Sequence, residues 1–196
     1  MLGSLNHYVL NLALSQVRAW ADAGICVPVA VNISAGNLQD DKLVFQIVDL
    51  LEQHKLTPNM LVFEVTESAI MLDSDAARTL LRQLHTLGIH IAIDDFGVGY
   101  TSLAQLKDLP ISELKIDKSF VLAMQSDQAN ELIVWSVVDL GHKLGMEVIA
   151  EGVETSEVLD ALGGYHCDMA QGFHVCRPVN AEAFMQWYKE RKRTVC

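Results

Sequence analysis

Short apolar runs and helical patterns alternate along this sequence, and that alternation predicts an α/β fold built on a parallel sheet. The runs lie near 27–32, 61–65, 90–95, 113–117, 147–151 and 169–173. Each finishes on a residue able to bind a metal ion or a phosphate: Asn32, Glu64, Asp94 with Asp95, Lys115 with Asp117, Glu151 and Gln171. In a (β/α) barrel the C-terminal ends of the strands converge on one face, and active sites are built there. Polar strand ends repeated in this way predict a TIM-like (β/α) barrel, here as a single domain over residues 1–196.

The elements follow from periodicity and stop signals. Leu5, Val9, Leu12, Val17 and Trp20 keep near-helical spacing, so a helix is expected from Leu5 to about Ala23, stopped by Gly24. Cys26 to Val31 is β-type and runs into Asn32-Ile33-Ser34. A helix is expected from Asp41 to His54, a turn at Pro58-Asn59, and then the strand Leu61-Val62-Phe63-Glu64-Val65. Asp75 to Leu87 is an amphipathic helix stopped by Gly88, and Ile91-Ala92-Ile93 is a buried strand ending at Asp94-Asp95. After Phe96-Gly97-Val98-Gly99, Tyr100-Thr101-Ser102-Leu103 opens a helix that ends before Pro110. Glu113 to Asp117 is a short strand, Asn130 to Leu144 a long helix stopped by Gly145, and Met146 to Ala150 a strand reaching Glu151. A helix near Ser156 to Leu162, a short strand from Asp168 to Phe173, and a helix from Ala181 to Arg191 complete the pattern.

A length of 196 residues suits one domain with a sizeable core. The formal net charge of −11 argues against non-specific binding to DNA, RNA or an anionic membrane. A small phosphate ligand stays compatible with that charge if cations stand between it and the carboxylates. Cys26, Cys167, Cys176 and Cys196 form no C-x-x-C pair, which counts against zinc and fits free thiols in a reducing, cytoplasmic setting. No apolar run reaches membrane-spanning length, although a longer parent protein anchored in a membrane stays open.

Adjacent carboxylates repel, so Asp94-Asp95 at a strand end is costly unless a cation neutralises the pair. For an isolated Asp-Asp the simpler account is a turn cap beside a solvated side chain. With Glu64, Glu151 and the Asn32 carbonyl, however, the pair completes a set of hard oxygen ligands suited to Mg²⁺ or Mn²⁺. Two such cations would clamp the attacking and leaving oxygens of a phosphodiester. A charged Lys115 inside a strand is expensive unless it faces this polar mouth. There it would act on the attacking water or on phosphate charge, or else make a structural salt bridge to Asp117 or Glu151.

Taken together, Val31-Asn32-Ile33-Ser34, Glu64-Val65-Thr66-Glu67-Ser68, Asp94-Asp95-Phe96-Gly97-Val98-Gly99-Tyr100, Lys115-Ile116-Asp117, Ala150-Glu151-Gly152-Val153-Glu154-Thr155 and Gln171-Gly172-Phe173 resemble the EAL domain family. Its members are bacterial phosphodiesterases that hydrolyse cyclic di-GMP to linear pGpG. The resemblance implies metal ligation by Asn32, Glu64, Asp94, Asp95 and Glu151 with two Mg²⁺ or Mn²⁺ ions. It matches Lys115 to the lysine that positions the nucleophilic water, and Glu151 to a glutamate at the metal centre with a proposed general-base role. Gln171 matches a residue near the second metal and the water. Glu67 matches the glutamate that steadies the loop after Asp95, a loop linked in the family to dimerisation, so a homodimer is also open. Asp117 and Glu154 are expected in supporting roles, and Arg177-Pro178 matches the family's basic-Pro pair.

Val98, Thr101 and Phe173 are mild departures from the family pattern. A larger one is the absence of the Glu-Ala-Leu motif itself, which implies an incomplete barrel missing its first strands, the C-terminal four-fifths of an EAL domain. The chain alone is therefore expected to be impaired as an enzyme. The alternative is a catalytically inactive EAL-like module that binds cyclic di-GMP or a protein partner. A third chemistry, an enolase-type barrel with one Mg²⁺ and Lys115 as base, is disfavoured by the Asp94-Asp95 pair.

Overall fold

The computed structural model describes residues 2–40, 42–71, 75–99 and 103–194. Six strands form one sheet: β1 (Val29–Asn32), β2 (Leu61–Thr66), β3 (His90–Phe96), β4 (Glu113–Ile116), β5 (Glu147–Glu151) and β6 (Met169–Gln171). All neighbouring pairs are parallel and the spatial order is the sequence order, β1 through β6. Parallel neighbours require crossovers, and helices supply them. Helix α1 (Leu2–Asp22) precedes β1, the crossovers hold α2 (Leu43–His54), α3 (Glu67–Met71), α4 (Asp75–Thr86), α5 (Leu103–Asp108), α6 (Lys118–Ala123), α7 (Gln128–Lys143) and α8 (Ser156–Gly164), and α9 (Ala181–Thr194) follows β6. The result is a curled half-barrel with flanking helices, the expected architecture. Among the described residues no helix is long and apolar enough to cross a membrane.

Strand periodicity divides the side chains between two faces. Leu61, Phe63 and Val65 of β2, Ile91 and Ile93 of β3, Leu114 and Ile116 of β4, and Val148 and Ala150 of β5 join the core under the helices. All nine have no measurable exposure, so burial on this layer supplies the main driving force for the fold. The intervening positions face the inside of the curl. Val62 and Ala92 are buried there, and Glu64, Asp94, Lys115 and Glu151 follow towards the C-terminal rim.

The expected elements are all present, with shifts at their ends. Helix α7 starts two residues earlier than expected, because Asp127 caps it by accepting from Ala129 N at 2.9 Å. Gly88 stops the segment before β3 in the left-handed region, at φ 93°. Two short helices, α3 and α6, were not anticipated, so the β2–β3 and β4–β5 crossovers each carry two helices rather than one. Each has only five or six residues, too few for a helical period to show in the sequence. Asp117 was expected to end β4, but it caps α6 instead. The start of β6 is pinned by Asp168, which accepts from Val148 N and from His142 Nε2, both at 2.8 Å. The expected helix opening at Tyr100-Thr101-Ser102 lies outside the described residues.

Candidate functional site

Strand β4 is buried on both faces, so its lysine must be paired. Lys115 is 4% exposed, and its ammonium contacts Glu64 Oε1 at 2.7 Å, Asp94 Oδ1 at 2.9 Å and Glu151 Oε1 at 2.7 Å. One cation is thus held by carboxylates from β2, β3 and β5. Burial works against the ammonium, but the contacts with Glu151, Glu64 and Asp94 outweigh it and hold the group above the ordinary lysine range. Glu151 shows the opposite balance. Burial pushes its carboxyl up, Asp94 and Glu64 add to that, and Lys115 only partly offsets it. The suggested salt bridge from Lys115 to Glu151 is present, whereas Asp117 turns to other partners.

Asp94 and Asp95 reach the same rim because β3 is irregular. Its register to β4 runs Ala92 to Glu113 and Ile93 to Leu114, then resumes at Phe96 to Ile116. Two aspartates therefore stand opposite the single residue Lys115, as in a β-bulge. Asp95 adopts φ 55°, a left-handed conformation that aspartate tolerates better than most side chains. In a regular strand two successive side chains would point to opposite faces. The bulge turns Asp95 back towards the rim, where oxygens of Asp94, Asp95 and Glu151 all lie within 4.8 Å of one another. Partial burial, with the charges of Asp94 and Asp117 and a hydrogen bond shared with Asp117, raises the Asp95 carboxyl above the usual range, and Lys115 opposes this weakly.

The other expected residues sit around this centre. Asn32 donates from Nδ2 to Glu64 Oε2 at 3.1 Å, and its backbone is in register with Glu64. Gln171 is in register with Glu151 on the edge strand and is exposed. Glu67 is buried and accepts from Gly97 N at 3.2 Å and Gly99 N at 3.0 Å, so it braces the turn after Asp95. A Cβ on Gly99 would fall 2.6 Å from the Glu67 carboxyl carbon, which explains a glycine there. Glu154 is exposed beyond the end of β5 and joins none of these described contacts. Asp117 accepts from Ser119 N at 2.8 Å and also from Ser119 Oγ. Burial raises the Asp117 carboxyl, but the Ser119 donors outweigh it and the net shift is downward. Ser119 lies outside the set of site residues expected from the sequence, and the Asp-x-Ser pattern of an N-cap is the signal that marks it.

Three carboxylates around one ammonium, with Asp95 beside them, leave this rim strongly negative. Asp94 Oδ1 is shut off from solvent, and the ammonium it meets at 2.9 Å, that of Lys115, is shared with Glu64 and Glu151. A buried oxygen in that state is expensive. Divalent cations would relieve both problems, and an all-oxygen donor set selects hard ions. The residues present therefore fit a site for such cations.

A family model described as the EAL domain matches residues 1–178. The chain is 41% identical over 187 residues to Signaling protein YkoW of Bacillus subtilis, covering 95% of this chain and 23% of that protein. It is 41% identical over 186 residues to the bifunctional diguanylate cyclase/cyclic di-GMP phosphodiesterase MucR of Pseudomonas aeruginosa, covering 94% and 27%. The chain thus spans about a quarter of the length of these curated relatives. Among solved structures, that of the PaMucR phosphodiesterase in complex with c-di-GMP superposes with a TM-score of 0.89 at 41% identity, covering 93% of this chain and 74% of that one. The match across nearly the whole sequence agrees with the strand-end residues gathered on the rim: the chain belongs to the EAL domain family.

Proposed function

We propose that this chain carries the catalytic rim of a cyclic di-GMP phosphodiesterase that hydrolyses its substrate to linear pGpG with Mg²⁺ or Mn²⁺. The observation that carries the reading is the convergence of Glu64, Asp94 and Glu151 from three strands on Lys115. The activity for which the relative MucR is named and the c-di-GMP complex of its phosphodiesterase support the substrate class. Asn32, Glu64, Asp94, Asp95 and Glu151 are the proposed cation ligands. When bound, divalent cations would neutralise phosphate charge and lower the pKa of an attacking water.

The chain's own residues supply the rest. Lys115 carries a positive charge well above neutral pH, so it serves as a fixed electrostatic group rather than a proton acceptor. Its proposed task is to orient the water and to stabilise charge gathering on the phosphate oxygens. Glu151, with its raised carboxyl and its contact to Lys115, is the group suited to take a proton from that water. Gln171, beside Glu151 on the edge strand, is a neutral hydrogen-bonding group for water or substrate. Glu67 keeps the loop after Asp95 in place.

The test is incubation of the chain with cyclic di-GMP and Mn²⁺ or Mg²⁺, with linear dinucleotide followed by chromatography. Slow turnover, in keeping with an impaired chain, that stops with a chelator and with Glu64→Ala is the expected result. A folded chain that binds cyclic di-GMP and forms no linear product overturns the enzymatic reading in favour of a binding module.

A further inference from the structure

The formal net charge of −11 describes the chain as a whole, and the expectation against an anionic membrane rests on that total. Helix α9 has the opposite sign. Of its 14 residues four are basic, Lys189, Arg191, Lys192 and Arg193, and only Glu182 and Glu190 are acidic. The helix also lies outside the stretch matched by the family model, which ends at residue 178. Asn180 starts it by accepting from Ala183 N at 2.9 Å. At 3.6 residues per turn, Ala181, Phe184, Met185 and Tyr188 fall on one stripe, with Trp187 at its border.

That stripe is only partly covered by the fold. Phe184 packs on Trp20 of α1 with ring centroids 4.7 Å apart, and Trp187 and Tyr188 gather around Phe184 at 5.9 Å and 6.0 Å. Phe184, Met185, Trp187 and Tyr188 are all half-buried, and none is fully enclosed. Arg191 is exposed and lies over the Trp187 ring at 5.0 Å, and Lys189 is exposed beside Tyr188 in sequence. Aromatic rings flanked by cations, on a helix about 21 Å long that is too short to span a bilayer, form the pattern of a segment lying in the plane of a lipid interface.

We propose that α9 is a docking surface for an anionic lipid membrane, with Trp187 and Tyr188 entering the headgroup boundary and the basic residues of positions 189–193 attracting the headgroups. Tryptophan and tyrosine suit that depth because each joins an apolar ring to a polar tip. Each Lys or Arg near such a surface tightens binding by about fivefold. Charge is thus segregated so that one helix meets the membrane while the acidic remainder is held off it. A nucleic acid fits the same cations less well, because Arg191 covers one face of the Trp187 ring and leaves less of it for a base to stack on. The inference is independent of the proposed catalysis.

The experiment is flotation of the full chain with vesicles of phosphatidylcholine alone or mixed with phosphatidylserine; vesicle-bound chain rises and self-associated chain sinks. The parent is expected to float with the mixed vesicles only, and added salt should weaken the binding. Lys192→Gln combined with Arg193→Gln is expected to bind about 25-fold more weakly, fivefold for each charge. Trp187→Ala is expected to lose binding while its melting shows a folded chain. Where alanine prevents folding, quenching of the parent's tryptophan emission by brominated acyl chains carries the same test, because a ring outside the interface is not quenched. A parent that stays below the mixed vesicles, or that floats equally with phosphatidylcholine alone, overturns the proposal. Trp187→Ala binding as tightly as the parent, or unquenched emission, overturns it as well and leaves a plain basic patch. A polyuridine RNA that binds the chain more tightly than the mixed vesicles overturns it in favour of nucleic acid.

Discussion

Lys115 is the residue on which the rim depends, both for folding and for the proposed chemistry. It is the buried cation among three contacting carboxylates, so its removal leaves their charges uncompensated. Without added metal, Lys115→Ala should destabilise the chain by about 3–5 kcal/mol, the usual cost of breaking a buried pair. Saturating Mn²⁺ should return much of that loss, and denaturant unfolding with and without the ion checks it. In saturating cation, kcat should fall about a hundredfold or more with little change in cyclic di-GMP affinity, as for loss of one electrostatic stabiliser. Unchanged turnover of bound substrate with collapsed affinity would make Lys115 a phosphate anchor. Asp95 gives the converse case. Its carboxyl titrates above the ordinary range in the fold, so the protonated form is favoured there and the charged form costs stability as pH rises. Asp95→Asn should therefore raise the metal-free melting temperature at neutral pH, and the gain should vanish in acid, where the parent Asp95 is itself protonated. Mn²⁺ binding should be greatly reduced in the same variant. A parent and variant with parallel melting-versus-pH curves would show that Asp95 titrates normally.

At the scale of elements, the bulge in β3 and the turn after it form one unit braced by Glu67. The brace spans thirty or more residues of sequence, from the start of α3 to Gly97 and Gly99. Glu67→Ala would leave two backbone N–H groups without their acceptor, at a cost of about 1–3 kcal/mol. Hydrogen exchange at residues 97–99 should speed up while the amides of β2 and β4 stay protected. Equal acceleration everywhere would mean that Glu67 acts on global stability and not on this loop. Gly99→Ala should reproduce the local effect, because its Cβ would displace the Glu67 carboxyl.

For the whole molecule, the consequential feature is the open curl. Strands β1 and β6 are each paired on one side only among the described residues. The inner face shows at both edges, with Asn32 and Gln171 exposed and Met169 40% exposed. Unpaired parallel edges beside apolar surface favour association between chains. The chain should therefore self-associate as concentration rises, and sedimentation velocity across a concentration series checks this. A single monomeric species throughout, with one cooperative high-temperature melt, would count against it. Lysine substitution at Ala30, exposed on the β1 edge, should reduce the association if that edge is responsible.

Much of this was legible from residues alone. Apolar runs of strand length and glycine stops such as Gly88 locate the six strands. The polar residues closing those runs mark one rim, because parallel strands joined by helices must present their C-terminal ends together. The motifs from Val31-Asn32-Ile33-Ser34 to Gln171-Gly172-Phe173 carried the family resemblance. Three things depended on tertiary structure. Alternation along β3 would send Asp94 and Asp95 to opposite faces, and only the register to β4 shows the bulge that brings them together. Asp117 reads as the end of a strand until the fold makes it the cap of α6, a helix too short to leave a period. The partners of Lys115 were open between Asp117 and Glu151, and the choice rests on which strands lie beside β4 and which carboxylates their curl brings within 3 Å of its ammonium. Local sequence encodes period and chemical type, while charge pairing across strands is a property of register and curvature, which arise when the sheet assembles.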